Sequence, residues 1–403
     1  MTLRKAMLLL LVMLAWWLLL TRLLADNLGS EIRFFNDYSD RYLYEQEGLW
    51  LSHGQVPYAQ TFSEYPQVAV TLFAMPHLIL SWIDPQSAWP DYAAVYSFLT
   101  LVFSFLAILV LYQLLPQHKN RALLLLLPAS LYFTLNRYDI LPSLLGLVSL
   151  WLLARQRWAP AALALAVGVL TKWYLIVLLP VYLIYYYTLY KRIAWSMILA
   201  FGLTSLTILL PTLLLGGVPA VLMPYQWHLT TDMNSDSLAY LLDLLVHGLF
   251  NGSLANSQAF TVLLALQFAV IPLCLSSTVG SFGKVVEWSA LSILVFMLFA
   301  KFYSPQWILW VSPPWILWVS PLWILRSSKT SDLLWLAAFD LATLLHFPIA
   351  YDAFGPTSVP FTLIVLVRTL IMIILIAILL RRLARDHSLL AAVHWRRAAV
   401  LSR

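Results

Sequence analysis

The sequence predicts an all-α protein, a polytopic bundle of transmembrane helices. Three observations lead to this prediction: 62% of the 403 residues are hydrophobic and only 10% are charged, and the mean hydropathy is +0.83. A soluble domain has too little interior to hide so many apolar side chains, so lipid must cover much of the surface. Helices are expected because they satisfy their own backbone hydrogen bonds in hydrocarbon. The single cysteine, Cys274, excludes a disulfide framework and a cysteine-based metal site.

The first element is an apolar segment at the N-terminus. Two basic residues, Arg4 and Lys5, precede roughly twenty residues that are apolar up to Arg22, about enough to cross a ~30 Å hydrocarbon core. We expect an uncleaved anchor; a cleaved signal peptide is the alternative, although its apolar region is normally shorter. Further apolar runs follow at about 67–83, 91–115, 121–135, 140–153, 158–171, 175–190, 193–215, 259–280, 285–300, 307–325, 331–350 and 359–380.

Basic residues between these runs orient the predicted spans. The positive-inside rule places six basic loops in the cytoplasm, at Lys119/Arg121, Arg155/Arg157, Lys191/Arg192, Lys284, Arg326/Lys329 and Arg381/Arg382/Arg385. All six loops fall on the cytoplasmic side if the run 67–83 does not cross the membrane. This run is short, contains Pro76 and has acidic residues on both sides. About 12 spans then remain, with both termini inside. The alternative makes 67–83 a true span and places the loop at Lys119 outside, against the rule.

This topology predicts a large extracytoplasmic first loop, charged and rich in tyrosine, that carries short helices lying on the bilayer surface. The predicted outward segments are 26–90, 136–139, 171–174, 216–258, 301–306 and 347–358. The predicted organisation is a catalytic membrane module over 1–258, transmembrane helices over 259–385, and a basic cytoplasmic tail over 386–403. The net charge of +6 fits the basic cytoplasmic loops, so we expect no nucleic-acid partner.

Basic residues in the outward segments indicate a polar chamber. Arg33, Arg41, Arg137, Lys172 and Lys301 each lie in a turn with polar and aromatic neighbours. Scatter and snorkelling near helix ends explain such residues one at a time, whereas one binding or catalytic chamber explains them together.

The first loop would supply this chamber with carboxylates. A carboxylate that faces basic residues near the membrane surface suits a general base that deprotonates a hydroxyl, and Asp40 is the candidate. A solvated loop is the alternative for any single acidic residue here, and Glu45 and Glu47 are expected to be solvated surface. The sequence has no P-loop, GxGxxG after a strand, HExxH or GxSxG motif, so nucleotide chemistry of the soluble type has no support.

Five segments, in order, carry a family resemblance. The first loop reads SDRYLYEQEGLWLSHGQVPYAQTFSEYPQ, and NRYDILPSLL, TKWYLIVLLP, YQWHLTTDMNSDSL and KFYSPQWILW follow. Together they resemble polyprenyl-phosphate-sugar-dependent membrane glycosyltransferases of the GT-C fold, closest to the family 87-like, or DUF2029, α-mannosyltransferase group. The chain departs from the family pattern at Gln67, Leu175, Thr231 and Asp236.

The resemblance implies an inverting transfer of a sugar, a hexose such as mannose, from a polyprenyl-phosphate donor to an acceptor hydroxyl on a glycolipid or glycan. Asp40 would be the base, with Asp37 as the second candidate. The residues implied to bind the donor phosphate are Arg137, Lys172, His228 and Lys301. Those implied to bind substrate are Tyr44, Tyr58, Glu64, Tyr65, Asp139, Tyr174, Asp236 and Gln306. The resemblance leaves a divalent metal, Mg²⁺ or Mn²⁺, open, because Asp37 and Asp40 do not form the tight Asp-x-Asp pair of some relatives.

The expected location is a prokaryotic plasma membrane, with the site facing outward. A transporter or lipid flippase is the rival function, because such proteins carry ionisable residues at the bilayer midplane. In this sequence Asp340 and Arg368 are the residues that look intramembrane, and the two halves show no repeat. A membrane scaffold is a third alternative, but it leaves the acidic first loop and the outward cations unexplained.

Overall fold

The structure, a computed structural model, describes residues 3–18, 38–83, 89–115, 118–255, 257–322 and 331–385. Within these ranges every regular element is helical, and the one β-type pairing is an isolated bridge between Pro57 and Thr61. The predicted all-α class is therefore confirmed. Four predictions lie outside the described residues: the outward cation Arg33, Asp37 as a second candidate base, the basic loop Arg326/Lys329 and the tail 386–403.

The α-helices of the described chain are numbered in order. They are α1 (Leu3–Leu18), α2 (Tyr38–Ser52), α3 (Gln67–Ile83), α4 (Trp89–Leu114), α5 (Pro128–Asn136), α6 (Ile140–Ala154), α7 (Trp158–Val169), α8 (Leu178–Tyr190), α9 (Trp195–Thr230), α10 (Leu238–Phe250), α11 (Gln258–Ala265), α12 (Val270–Leu275), α13 (Phe282–Phe299), α14 (Ile308–Leu322), α15 (Ser331–Leu344), α16 (Tyr351–Phe354) and α17 (Val359–Arg385). Short 3₁₀ turns join some of them, at Lys119–Leu126, Trp173–Val177, Leu266–Phe268 and Pro305–Trp307. A π-turn, Leu345–Ala350, connects α15 to α16.

Several helices have the length and composition of membrane spans. In the described chain six segments qualify: Asp91–Leu114, Trp173–Tyr190, Trp195–Thr230, Phe282–Phe299, Asp332–Phe354 and Val359–Arg385. A seventh crossing results if α5 and α6, which bend by 110° where they meet, are counted as one broken span. These helices are compatible with a multi-pass integral membrane protein. They do not establish the predicted number of about 12, because runs such as 121–135 and 158–171 form shorter helices than expected.

The first loop contains two helices packed on each other. α2 lies in the predicted outer loop, and α3 is the short apolar run that was predicted not to span. Their approach is closest at Gly48, where a Cβ atom would lie 2.0 Å from the carbonyl oxygen of Phe73. Any side chain at position 48 would therefore push α2 away from α3, and with it the acidic residues that α2 carries.

The helix α9 is longer than predicted. The apolar run was expected to end near 215 and to continue as a loop, but the helix resumes after a break at Gly217 and ends at Thr230. Gly217 has φ +70°, a backbone conformation that glycine adopts without steric cost. The break turns the last part of α9 toward the first loop, where Ala220 packs with Tyr58 and Val70.

Asp340, on α15, holds the start of α5. It is fully buried, and its carboxylate accepts hydrogen bonds from the backbone N–H of Ala129 (2.8 Å) and Ser130 (3.0 Å) and from the Ser130 hydroxyl (2.8 Å). Free N–H groups and the positive end of the helix dipole lie at this terminus, so a carboxylate stabilises it. The opposite end of α5 carries the turn Arg137–Asp139.

Candidate active site

Asp40 and Arg137 form the ion pair at the centre of the candidate site. Asp40 lies in the first turn of α2, and Arg137 directly follows α5. The Oδ2 atom of Asp40 is 2.9 Å from Nε of Arg137, and the Asp40 side chain keeps 35% of its surface exposed against 4% for Arg137. The Tyr44 hydroxyl, one turn along α2, also donates to Oδ2 at 3.4 Å. The pair therefore orients the carboxylate and leaves part of it open.

Asp139, in the same turn as Arg137, holds Lys172. Lys172 Nζ and Trp310 Nε1 both donate to Oδ1 of Asp139, each at 2.7 Å. Asp139 is fully buried, and Lys172 lies 4.6 Å from the ring centroid of Tyr138 and 5.3 Å from that of Trp310. Tyr174 is buried beneath, with its ring stacked on Trp310 at 3.7 Å. Asp139 and Tyr174 were predicted to bind substrate; here they position Lys172 and Trp310.

The end of α9 brings the His228 imidazole to the site, next to the ammonium group of Lys301. Lys301 donates from Nζ to the backbone oxygen of Leu229 at 2.8 Å, so its ammonium group lies beside the last turn of α9. His228 is the preceding residue, and the charges of Lys172 and Lys301 both act on its imidazole. Three predicted phosphate-binding residues from distant segments are thus neighbours.

Glu64 connects the first loop to this group. Burial raises the pKa of its carboxyl above the usual value, hydrogen bonds from the side chains of Tyr65 and Trp227 oppose that rise, and the Asp40 charge adds to it while Lys172 lowers it. The same interactions show that Glu64 lies near Asp40 and Lys172. Glu64, one of the residues predicted to bind substrate, is therefore a neighbour of both the candidate base and Lys172.

The tyrosines of the first loop pack into a buried aromatic cluster next to Asp40. Tyr44 is fully buried; its ring stacks on Phe73 at 4.3 Å and meets the edges of Tyr65 and Tyr138 at 5.5 and 5.6 Å. Tyr58 is also buried and donates its hydroxyl hydrogen to the backbone oxygen of Tyr65 at 2.6 Å. Tyr44, Tyr58 and Tyr65 were all predicted to bind substrate. The contacts of Tyr44 and Tyr58 give these two a supporting position.

Asp236 and Gln306 were also predicted to bind substrate, but their contacts lie elsewhere than at Asp40 and Lys172. Asp236 Oδ1 lies 3.3 Å from Nε2 of His346, and its backbone oxygen accepts a hydrogen bond from Arg368. These partners lie in the π-turn and in α17, in the C-terminal part of the chain. Gln306 is buried in the turn Pro305–Trp307. Asp236 therefore links the loop after α9 to the C-terminal helices.

Glu47 corrects a sequence prediction. It was expected to be solvated surface, but it is only 3% exposed, and Ser63 donates its hydroxyl hydrogen to Oε2 at 2.6 Å. Burial raises the pKa of Glu47 to about 8, although the Ser63 hydrogen bond opposes the rise and nearby Glu64 adds to it. Glu47 contacts Ser63 of the loop, and a single sequence carries no signal that distinguishes it from an exposed acid.

Sequence reasoning also missed three aromatic residues, Phe62, Trp227 and Trp310. Phe62 and Trp227 lie in predicted outward segments rich in aromatic side chains, whereas Trp310 lies in the apolar run predicted over 307–325. For a metal, no group of three or more suitable acidic, histidine or cysteine side chains is found in the described part of the chain. Asp37 lies outside that part, so a divalent metal stays a prediction.

No protein-family model matches this chain. No curated protein is significantly similar to it in sequence.

Proposed function

We propose that the chain is a GT-C-like membrane glycosyltransferase. It would move a sugar, a hexose such as mannose, from a polyprenyl phosphate to an acceptor hydroxyl on a glycolipid or glycan, at the extracytoplasmic face of a prokaryotic plasma membrane. One observation carries the proposal: a partly open carboxylate, Asp40, pairs with Arg137 and interacts with Glu64, and Glu64 in turn interacts with Lys172, which lies with Lys301 near the His228 imidazole.

The proposed reaction is a direct displacement at C1 of the donor sugar. The acceptor oxygen forms a bond to C1 while the bond from C1 to the phosphate oxygen breaks, and the configuration at C1 inverts. Asp40 takes the proton of the acceptor hydroxyl, and polyprenyl phosphate leaves with the electron pair of the broken bond. A general base in such a step typically contributes roughly 10²- to 10⁴-fold.

The three basic residues and His228 divide into two roles in this proposal. Arg137 is nearly buried and pairs with Asp40, so it orients the base, although the sequence assigned it to the phosphate. Lys172, His228 and Lys301 remain for the donor phosphate, whose negative charge grows as the bond breaks. The carboxylate of Asp139 and the aromatic rings around Lys172 hold that ammonium group in place before the donor binds.

The test is a transfer assay with defined donors. Purified protein in lipid nanodiscs is incubated with radiolabelled polyprenyl-phosphate mannose or polyprenyl-phosphate glucose and a membrane lipid extract, and labelled products are identified by mass spectrometry. A labelled glycolipid or glycan that Asp40→Asn does not form is the expected result. No product from either donor, with protein that is folded by its melting curve, would count against the proposal.

A transporter or lipid flippase is the second candidate, and one observation favours it. α5 and α6 form a helix pair bent by 110°, with Arg137 and Asp139 at the bend, and transporters build their binding sites from such broken helices. Proteoliposomes distinguish the two functions. Movement of a labelled polyprenyl-phosphate sugar between leaflets with no new glycosidic bond would support transport.

A further inference from the structure

Two aromatic side chains at the site are open and touch each other. Phe62 comes from the first loop and Trp227 from the last turns of α9, and their ring centroids are 5.2 Å apart at an angle of 71°. Half of the Phe62 side chain and 39% of that of Trp227 are exposed. Neither residue has a part in the proposed displacement.

The fold brings these rings together by a close backbone approach. A Cβ atom at Gly216 would lie 2.9 Å from Cβ of Ala59, so only glycine lets α9 come this near to the loop. Beyond the break at Gly217, Ala220 packs against Tyr58. The contact between Phe62 and Trp227 follows from this packing, which determines where both rings lie.

Glu64 lies between Trp227 and the candidate base, Asp40. The Trp227 indole interacts with the carboxyl group of Glu64, and Glu64 interacts in turn with Asp40 and Lys172. An indole N–H can only donate and a carboxylate accepts, so a hydrogen bond between these groups would run from Trp227 to Glu64. The carboxylate has further lone pairs that can accept hydrogen bonds from hydroxyl groups.

We propose that Phe62 and Trp227 form a binding platform for one pyranose ring, with Glu64 as the hydrogen-bond acceptor for its hydroxyl groups. A pyranose has an apolar face of C–H bonds and a rim of hydroxyls. Its polarised C–H bonds fit the negative face of an aromatic ring, and its hydroxyls fit the carboxylate. Cations lie beyond Glu64, at Lys172, so the phosphate of a lipid donor has its own partners next to the sugar.

The chief competing explanation is the membrane interface, where tryptophan is enriched without binding any sugar. Trp195, 61% exposed at the start of the same helix, provides a matched comparison. If Trp227 is only an interfacial anchor, replacing it should resemble replacing Trp195. If it binds a sugar, the two replacements should differ.

The first experiment measures sugar binding without any reaction. Methyl α-D-mannopyranoside and methyl α-D-glucopyranoside are titrated onto the protein in nanodiscs, with saturation-transfer NMR as the readout. We expect Trp227→Ala and Phe62→Ala each to weaken binding by roughly three- to tenfold, the range of one aromatic contact, and Trp195→Ala to leave it unchanged. Trp227→Phe keeps a ring but loses the indole N–H, so its sugar affinity should lie between those of the wild type and Trp227→Ala. This variant is used for the comparison if Trp227→Ala does not fold.

The second experiment identifies the sugar and rests on the proposed function. If the ring belongs to the acceptor, Trp227→Phe raises the acceptor KM and leaves the donor KM unchanged; if it belongs to the donor, the reverse holds. Sugar binding without transfer would keep the platform and reject the glycosyltransferase. If Trp227→Phe and Phe62→Ala both catalyse transfer with the sugar affinity and KM values of the wild type, the glycosyltransferase proposal stands and the platform is overturned. The platform is also overturned if the wild-type protein binds neither glycoside and Phe62→Ala leaves both KM values unchanged.

Discussion

Asp40 and Arg137 lie 2.9 Å apart and join the start of α2 to the end of α5. The two residues belong to different units of the fold, the first loop and the bent helix pair. Their ion pair therefore ties the carboxylate to the turn that also carries Asp139 and, through it, Lys172. This turn therefore holds both the proposed base and Lys172, one of the residues proposed to bind the phosphate.

Replacing Asp40 tests the proposed base. Asp40→Asn keeps the shape of the side chain and removes the group that accepts the proton, so we expect transfer to fall by roughly 10²-fold or more. Glu45→Gln on the same helix is the control and should retain most activity. The measurement is the initial rate of labelled-product formation, with the melting temperature of each variant recorded. Near wild-type activity in Asp40→Asn would remove it as the base and move the test to Asp37.

The pair of Lys172 and Asp139 gives a double-mutant cycle. Lys172→Ala should raise the donor KM and lower kcat, because it removes a charge from the phosphate. Asp139→Asn should act in the same direction but more weakly, because Lys172 stays and loses its orienting carboxylate. If Asp139 works through Lys172, the double variant resembles Lys172→Ala alone, and the two effects do not add. Additive effects on KM would show that Asp139 has an independent role; Lys191→Ala, a basic residue after α8, is the control.

The buried carboxyl of Glu47 makes stability depend on pH. Its pKa is about 8 in the folded protein against a usual 4.5, so between these values the unfolded chain has lost a proton that the folded chain keeps. The free energy of unfolding therefore falls as pH rises from about 5 to 8, by at most about 1.4 kcal/mol per pH unit. Glu47→Gln has no proton to lose and should flatten this dependence, measured as melting temperature against pH. An unchanged slope would show that Glu47 is ionised in the folded protein.

Hydropathy and charge predicted the helical class and drew attention to the segments that form the site, because both are properties of local sequence. The break at Gly217 and the burial of Glu47 were not predictable in this way. Each depends on what the rest of the chain packs against: α9 meets the loop at Ala59, and Ser63 of the loop contacts Glu47. Asp340 is an extreme case, since the helix end that it caps lies 210 positions away in sequence. The sequence marked it as an intramembrane charge but gave no partner.

Asp340 can be tested through its role at the start of α5. Asp340→Ala leaves the backbone N–H groups of Ala129 and Ser130 buried without their acceptor, which costs roughly 1–3 kcal/mol for each group left unsatisfied. We expect a clear loss of melting temperature, and a loss of activity because α5 carries Arg137. Asp340→Asn keeps one oxygen as an acceptor and should be milder. Equal stability of Asp340→Ala and wild type would show that the cap contributes nothing.

Arg368 offers a test of how the donor site is held from a distance. Its guanidinium group contacts Nδ1 of His346 at 3.0 Å, donates to the backbone oxygen of Asp236, and lies 3.7 Å from the ring centroid of Tyr303. Asn234 then binds both backbone groups of Tyr303, and its own N–H donates to the backbone oxygen of Lys301 at 3.2 Å. Arg368 thus joins the two turns that position Lys301.

We expect Arg368→Met to raise the donor KM several-fold and to lower the melting temperature, because removing one member of a buried charged network typically costs roughly 3–5 kcal/mol. Arg368→Lys should restore little, since an ammonium group cannot reproduce the planar fork of donors. Arg382→Met is the matched control: Arg382 lies near the other end of α17, where Nε is 2.5 Å from Oε1 of Glu287. It should lower the melting temperature and leave the donor KM unchanged. If both variants change KM equally, the effect of Arg368 is general destabilisation and the path through Asn234 to Lys301 is wrong.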